Sequence, residues 1–112
     1  MPFYMHQWTY KDKQVRALVT QPQDREEILR VATEAFGGKL HNFFFSFGDY
    51  DGMCITEFPD SKTALASLMS IFGTGSLSAL KTTVLFTQEE AKEAMTLARE
   101  AVTPYTPPDA ET

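Results

Sequence analysis

Two imidazoles, one thiol and a phenol set between two carboxylates are the groups in this chain whose types and positions could do chemistry. Imidazole is the side chain whose ordinary charge change falls closest to neutrality, so His6 and His41 could move a proton or meet a polar ligand. Neither stands in an HxxxH or His-carboxylate pattern, so no metal site is expected. A histidine satisfied by a backbone carbonyl is the competing, structural reading, and it is the commoner one. Gly48-Asp49-Tyr50-Asp51-Gly52 gathers Asp49 and Asp51 around Tyr50. The carboxylates could grip a cation or an amine, and the phenol could donate to a ligand oxygen. The same residue types build turns, because glycine supplies positive φ and aspartate bonds backbone amides there, and this structural reading is favoured. Cys54 stands between Met53 and Ile55 with no basic neighbour in sequence, so an inert, buried thiol is expected. Glu57, close to Pro59 at a strand end, is expected as a solvated carboxylate rather than a general base. Gly73-Thr74-Gly75-Ser76 lacks the Lys-Ser/Thr of a phosphate loop and precedes a strand instead of a helix, so it is set aside.

The elements that must position these groups follow from hydrophobic period and punctuation. Phe3 to Tyr10 reads as a first strand with Tyr4, His6, Trp8 and Tyr10 on one face and Phe3, Met5, Gln7 and Thr9 on the other. Asp12 to Thr20 reads as a short helix with Val15, Leu18 and Val19 inward. Pro22 suits an early position of the next helix, Gln23 to Phe36, whose stripe is Ile28, Leu29, Ala32, Ala35 and Phe36. Gly37-Gly38 ends it. Leu40 to Phe47 is a second strand whose phenylalanines, Phe43, Phe44, Phe45 and Phe47, fall on both faces. The Gly48 to Gly52 turn leads into a third strand, Met53 to Phe58. Asp60 caps a helix to Phe72 with Ala64, Leu65, Leu68, Met69 and Phe72 on one side. A fourth strand runs from Ser78 to Phe86. Thr87-Gln88-Glu89-Glu90 is a capping box opening a last helix with Ala91, Ala94, Met95, Ala98 and Val102 inward.

This order, β-α-β-β-α-β plus a terminal helix, predicts an α+β ferredoxin-like fold with one four-stranded antiparallel sheet. It forms a single domain over residues 1–102, followed by a Pro-rich acidic tail over 103–112. Helices cover one sheet face. A sheet open to water on the other should alternate apolar and polar residues, yet the second strand is apolar on both sides. A second copy of the chain, packed sheet on sheet, is therefore the expected partner.

Composition narrows the function classes. The chain has 112 residues, 43% of them hydrophobic, and a formal net charge of −5. It fits one domain, is too apolar for disorder, and has no run long enough to span a membrane. A single cysteine excludes an internal disulfide framework. The first ten residues lack the pattern of a secretory signal, so a cytoplasmic setting is expected. Residues 1–86 carry 8 basic and 9 acidic side chains, whereas 87–112 carry 2 basic and 6 acidic, so the acidity belongs mostly to the last helix and tail. No cluster of lysine and arginine interleaves with aromatics, and nucleic acid is not an expected partner.

With those residues in place the chain resembles the GYD-domain family. The Gly-x-Tyr-Asp turn stands here as Gly48-Asp49-Tyr50-Asp51. Phe36-Gly37-Gly38-Lys39, Glu57-Phe58-Pro59-Asp60 and Phe86-Thr87-Gln88-Glu89-Glu90 match flanking words of the family in order and spacing. The resemblance runs from about Tyr4 to Ala101. The chain departs where the family has Trp-Thr-x-x-Gly, since Tyr10-Lys11-Asp12-Lys13-Gln14 holds no glycine. The resemblance implies a ferredoxin-like fold paired into a dimeric α+β barrel and carries no established activity with it.

Two functional readings stay open. One is a non-catalytic module, either purely structural or binding a small, partly aromatic metabolite in a cavity between paired sheets. Its ligand-binding candidates are Tyr4, His6, Trp8, His41, Asp49, Tyr50 and Asp51. The other is a cofactor-independent enzyme of oxygenase or isomerase type using His6 or His41 as acid and base, a reading that rests on fold analogy. Neither implies a cofactor. The row Tyr4, His6, Trp8 is expected to face the partner sheet, since a histidine costs more under dry helices. If it lies under the helices instead, His6 becomes a core histidine and Gln7 takes its place as candidate.

Overall fold

A computed structural model describes residues 1–109; the last part of the expected tail, residues 110–112, lies outside the described residues. The strands are β1 (Phe3–Tyr10), β2 (Lys39–Phe45), β3 (Gly52–Glu57) and β4 (Leu77–Leu85). The helices are α1 (Asp12–Thr20), α2 (Arg25–Glu34), α3 (Ser61–Phe72) and α4 (Gln88–Glu100). The four strands form one sheet in the order β2-β3-β1-β4, every pair antiparallel. This is the ferredoxin-like α+β arrangement, with α1 inserted ahead of α2 and α4 appended.

Local chemistry sets the helix boundaries. Asp24, not Pro22, starts α2: its side chain accepts from the Glu27 backbone N–H, so proline lies outside the helix. Asp60 caps α3 in the same way through Thr63. Thr87 and Glu90 form the reciprocal capping box of α4.

The core occupies one side of the sheet. Tyr4, Phe58 and Ala64 form one cluster, with Phe36 against it. Trp8, Cys54 and Leu77 form the other, joined by half-buried side chains that include Leu29, Phe43, Ile71 and Leu80. Side chains of β1 alternate accordingly: Tyr4, His6 and Trp8 are buried, while Phe3, Met5 and Gln7 are half-buried on the other face.

Three sequence expectations are corrected here. The row Tyr4, His6, Trp8 faces helices α2 and α3 and not a partner sheet, because the aromatic bulk of Tyr4 and Trp8 supplies the core those helices need. Val15 and Val19 do not point into a core, and α1 buries no residue. The expected inward stripe of α4 is likewise open, with Met95 exposed and no residue of the helix buried. In both cases α2 and α3 already occupy the covered sheet face, leaving the outer helices without a surface of their own chain to cover their stripes.

Candidate functional site

A cavity of about 120 Å³ lies between the sheet and helices α2 and α3. Its floor is made by His6 and Trp8 of β1, Cys54 and Thr56 of β3, Phe43 of β2 and Leu80 of β4. Cross-strand register brings these together: His6 stands opposite Cys54 on one side and Thr82 on the other, and Phe43 stands opposite Cys54. The roof comes from Ile28, Leu29, Ala32 and Thr33 of α2 and Ser67, Leu68 and Ile71 of α3. Helical period places each set on one stripe. Most of the lining is apolar, and Arg25 at the start of α2 brings in a cation.

His6 is the central polar group, 5% exposed. Its Nδ1 lies 2.9 Å from Thr82 Oγ1 and its Nε2 lies 2.8 Å from Thr56 Oγ1. Neutral imidazole has one donor and one acceptor, so one hydroxyl accepts from the ring and the other donates to it. Burial holds the ring neutral, lowering its pKa from 6.5 to about 4. Tyr4 stacks parallel to it, with centroids 6.2 Å apart. The structural alternative for His6 had been a bond to a backbone carbonyl; threonine hydroxyls from two neighbouring strands take that place.

Cys54 is buried beside His6, and burial pushes its thiol up to about 12, with a contact to the His6 backbone working the other way. It is protonated at neutral pH and not a nucleophile. Gly52 fits under Trp8 because it lacks a side chain: a Cβ there would sit 2.5 Å from the indole ring.

His41 belongs elsewhere. The β2–β3 register slips between Leu40 and Asn42, so His41 is the extra residue of a bulge. Its ring tilts against Phe3 at 5.4 Å, and its Nε2 lies 2.9 Å from Glu57 Oε1, both on the sheet face opposite the helices. The pairing of His41 with Glu57 is not written as a local pattern, because it depends on strand register. The two histidines therefore do not share a site.

The hairpin residues also lie apart from the cavity. Gly48 has φ +130°, as a turn glycine should. Asp51 accepts the Tyr10 backbone N–H at 2.9 Å, tying the hairpin to β1 instead of bonding within the hairpin as a local turn would. Tyr50 and Asp49 act through their backbone carbonyls, accepting from the hydroxyls of Ser46 and Thr9. Among the described residues no group of three or more His, Cys, Asp or Glu side chains is placed to hold a metal ion, and no helix is long and apolar enough to cross a membrane.

Of the candidates read from sequence, His6 and Trp8 line the cavity, Tyr4 supports His6 from the side, and His41, Asp49, Tyr50 and Asp51 lie outside it. Thr56 and Thr82 were missed. The usable signal was the pairing of three strands around His6, which a single chain without its register does not display.

The profile of the GYD domain matches residues 4–95. The chain belongs to the GYD-domain family. No curated protein matches it. Among solved structures it is similar to MupZ from Pseudomonas fluorescens, at 15% identity and a TM-score of 0.46, over 99% of this chain and 98% of that one. In this GYD-domain protein the naming turn braces the end of β1, the strand that carries His6 and Trp8.

Proposed function

We propose that this protein is a small-molecule binding module that holds one ligand beneath α2 and α3. The observation that carries the reading is the apolar cavity of about 120 Å³ floored by Trp8 and His6. A cavity near 150 Å³ lined by apolar side chains is known to take up benzene, so the volume suits one aromatic ring. Arg25 among the lining residues favours a ring bearing a carboxylate or another oxygen substituent. His6 serves the ligand through Thr56, the hydroxyl partner that lines the cavity, since both ring nitrogens are already engaged.

Trp8 is the chain's single tryptophan and reports on its own pocket. Titration with benzoate should change Trp8 emission saturably, and Ala32→Phe, which fills the cavity from α2, should abolish the change while leaving the fold intact by circular dichroism. Emission indifferent to benzoate and to neutral benzyl alcohol alike, or a response that survives Ala32→Phe, would remove this reading.

A further inference from the structure

We propose that Thr56, His6 and Thr82 form a proton wire from the cavity to bulk water. Thr56 is buried and lines the cavity, His6 is buried beside it, and Thr82 is exposed on the edge strand β4. The links are 2.8 Å and 2.9 Å, hydrogen-bond distances throughout. Side-chain hydroxyls on both nitrogens of one imidazole are what a relay requires: a backbone carbonyl at either end can accept a proton's hydrogen bond but has no proton of its own to pass on.

The step balances without charging the ring. A ligand O–H gives its proton to Thr56 Oγ1 as the Thr56 hydroxyl proton passes to His6 Nε2. The His6 Nδ1 proton passes to Thr82 Oγ1, and the Thr82 hydroxyl proton leaves to water. Each protein heteroatom ends with the protonation it needs, the ring has exchanged tautomers, and one proton has moved from ligand to solvent. Reversal returns it. Because imidazolium is never formed, the burial that disfavours a charged ring does not block transfer. The ligand class able to use the wire has an ionisable hydroxyl, a phenol or an enol. This use rests on the reading of the cavity as a ligand site.

The wire is testable in the unliganded chain by exchange of the His6 ring proton with water, followed by nuclear magnetic resonance on nitrogen-15-labelled histidine. In the natural sequence the ring proton should exchange faster than the His6 backbone amide, whose exchange needs the sheet to open. Thr82→Val keeps the shape and strand preference of the side chain but removes the outlet, and should slow ring exchange by about tenfold or more. Thr82→Ser should restore it. A ring proton that exchanges no faster than the amide, or equally fast in Thr82→Val, would overturn the wire. Since no ligand is present, failure here is read separately from failure of benzoate to reach Trp8.

Discussion

His6 shows why a residue's chemistry is set by what surrounds it. The unfolded chain takes up a proton at this imidazole near pH 6.5, whereas the folded chain does so only near pH 4. Between these values the unfolded state binds more protons, so stability is full above the window and falls as the pH drops through it, by at most about 3 kcal/mol. Urea unfolding followed from neutral pH down to the lower edge of this window should show that slope, and His6→Phe should flatten it. His6→Phe also leaves Thr56 without its partner, so the variant should be less stable than the natural chain at neutral pH by about 1–3 kcal/mol. An identical acid slope in both proteins would contradict the burial argument. Cys54 follows the same rule with opposite sign, its thiol raised to about 12 by the same dry surroundings. Its inertness was legible from the missing basic neighbours. The neutrality of His6 was not, because the groups that bury it come from β3, β4, α2 and α3.

Elements were legible where period and punctuation agree, as in the alternation of β1 and the capping box at Thr87. They were misread where another chain segment decides. Pro22 looked like a helix start, but the Asp24 carboxylate captures the Glu27 N–H and sets the first turn later. The phenylalanine run of β2 does fall on both faces, Phe43 tilting against Trp8 and Phe44 opposite Met53 on the other side. The strand ends at Phe45, however, and leaves Phe47 outside it, and the bulge at His41 depends on the pairing with β3. The Gly48–Gly52 turn belongs to this scale too, because its aspartate braces a different strand. Asp51→Ala removes the acceptor of the Tyr10 N–H, and at the end of β1 that should cost about 1 kcal/mol, a loss comparable to that of a helix cap. Thermal unfolding checks this, with Asp49→Ala as the control expected to change little, since Asp49 accepts through its backbone carbonyl. A melting temperature insensitive to Asp51→Ala would detach the turn from β1.

The whole molecule has a second face that its own helices do not cover. Phe3 and Met5 of β1, Met53 and Ile55 of β3 and Phe44 of β2 share it, and Phe44 is 60% exposed. Lys39 and Glu57 pair across the β2–β3 ladder at one end of this face, and Lys81 lies on β4, so an apolar centre has both charge signs around it. An apolar centre with both charge signs around it is the kind of surface that can meet its own copy across a twofold axis, which is why a second copy is the occupant proposed for it. The open stripe of α4 adds further apolar surface that pairing could cover. Pairing should bury more than about 1,000 Å² in total. Sedimentation at micromolar concentration should therefore show a dimer or a multiple of one, and Phe44→Lys or Ile55→Glu at the centre should weaken association by about a hundredfold. A clean monomer for the natural sequence would end this reading. The cavity lies on the opposite side of the sheet, so a monomeric Phe44→Lys protein should keep its Trp8 response to benzoate. If that response vanished with the dimer, the two faces would be coupled through β1, which presents Trp8 to the cavity and Met5 to the other side.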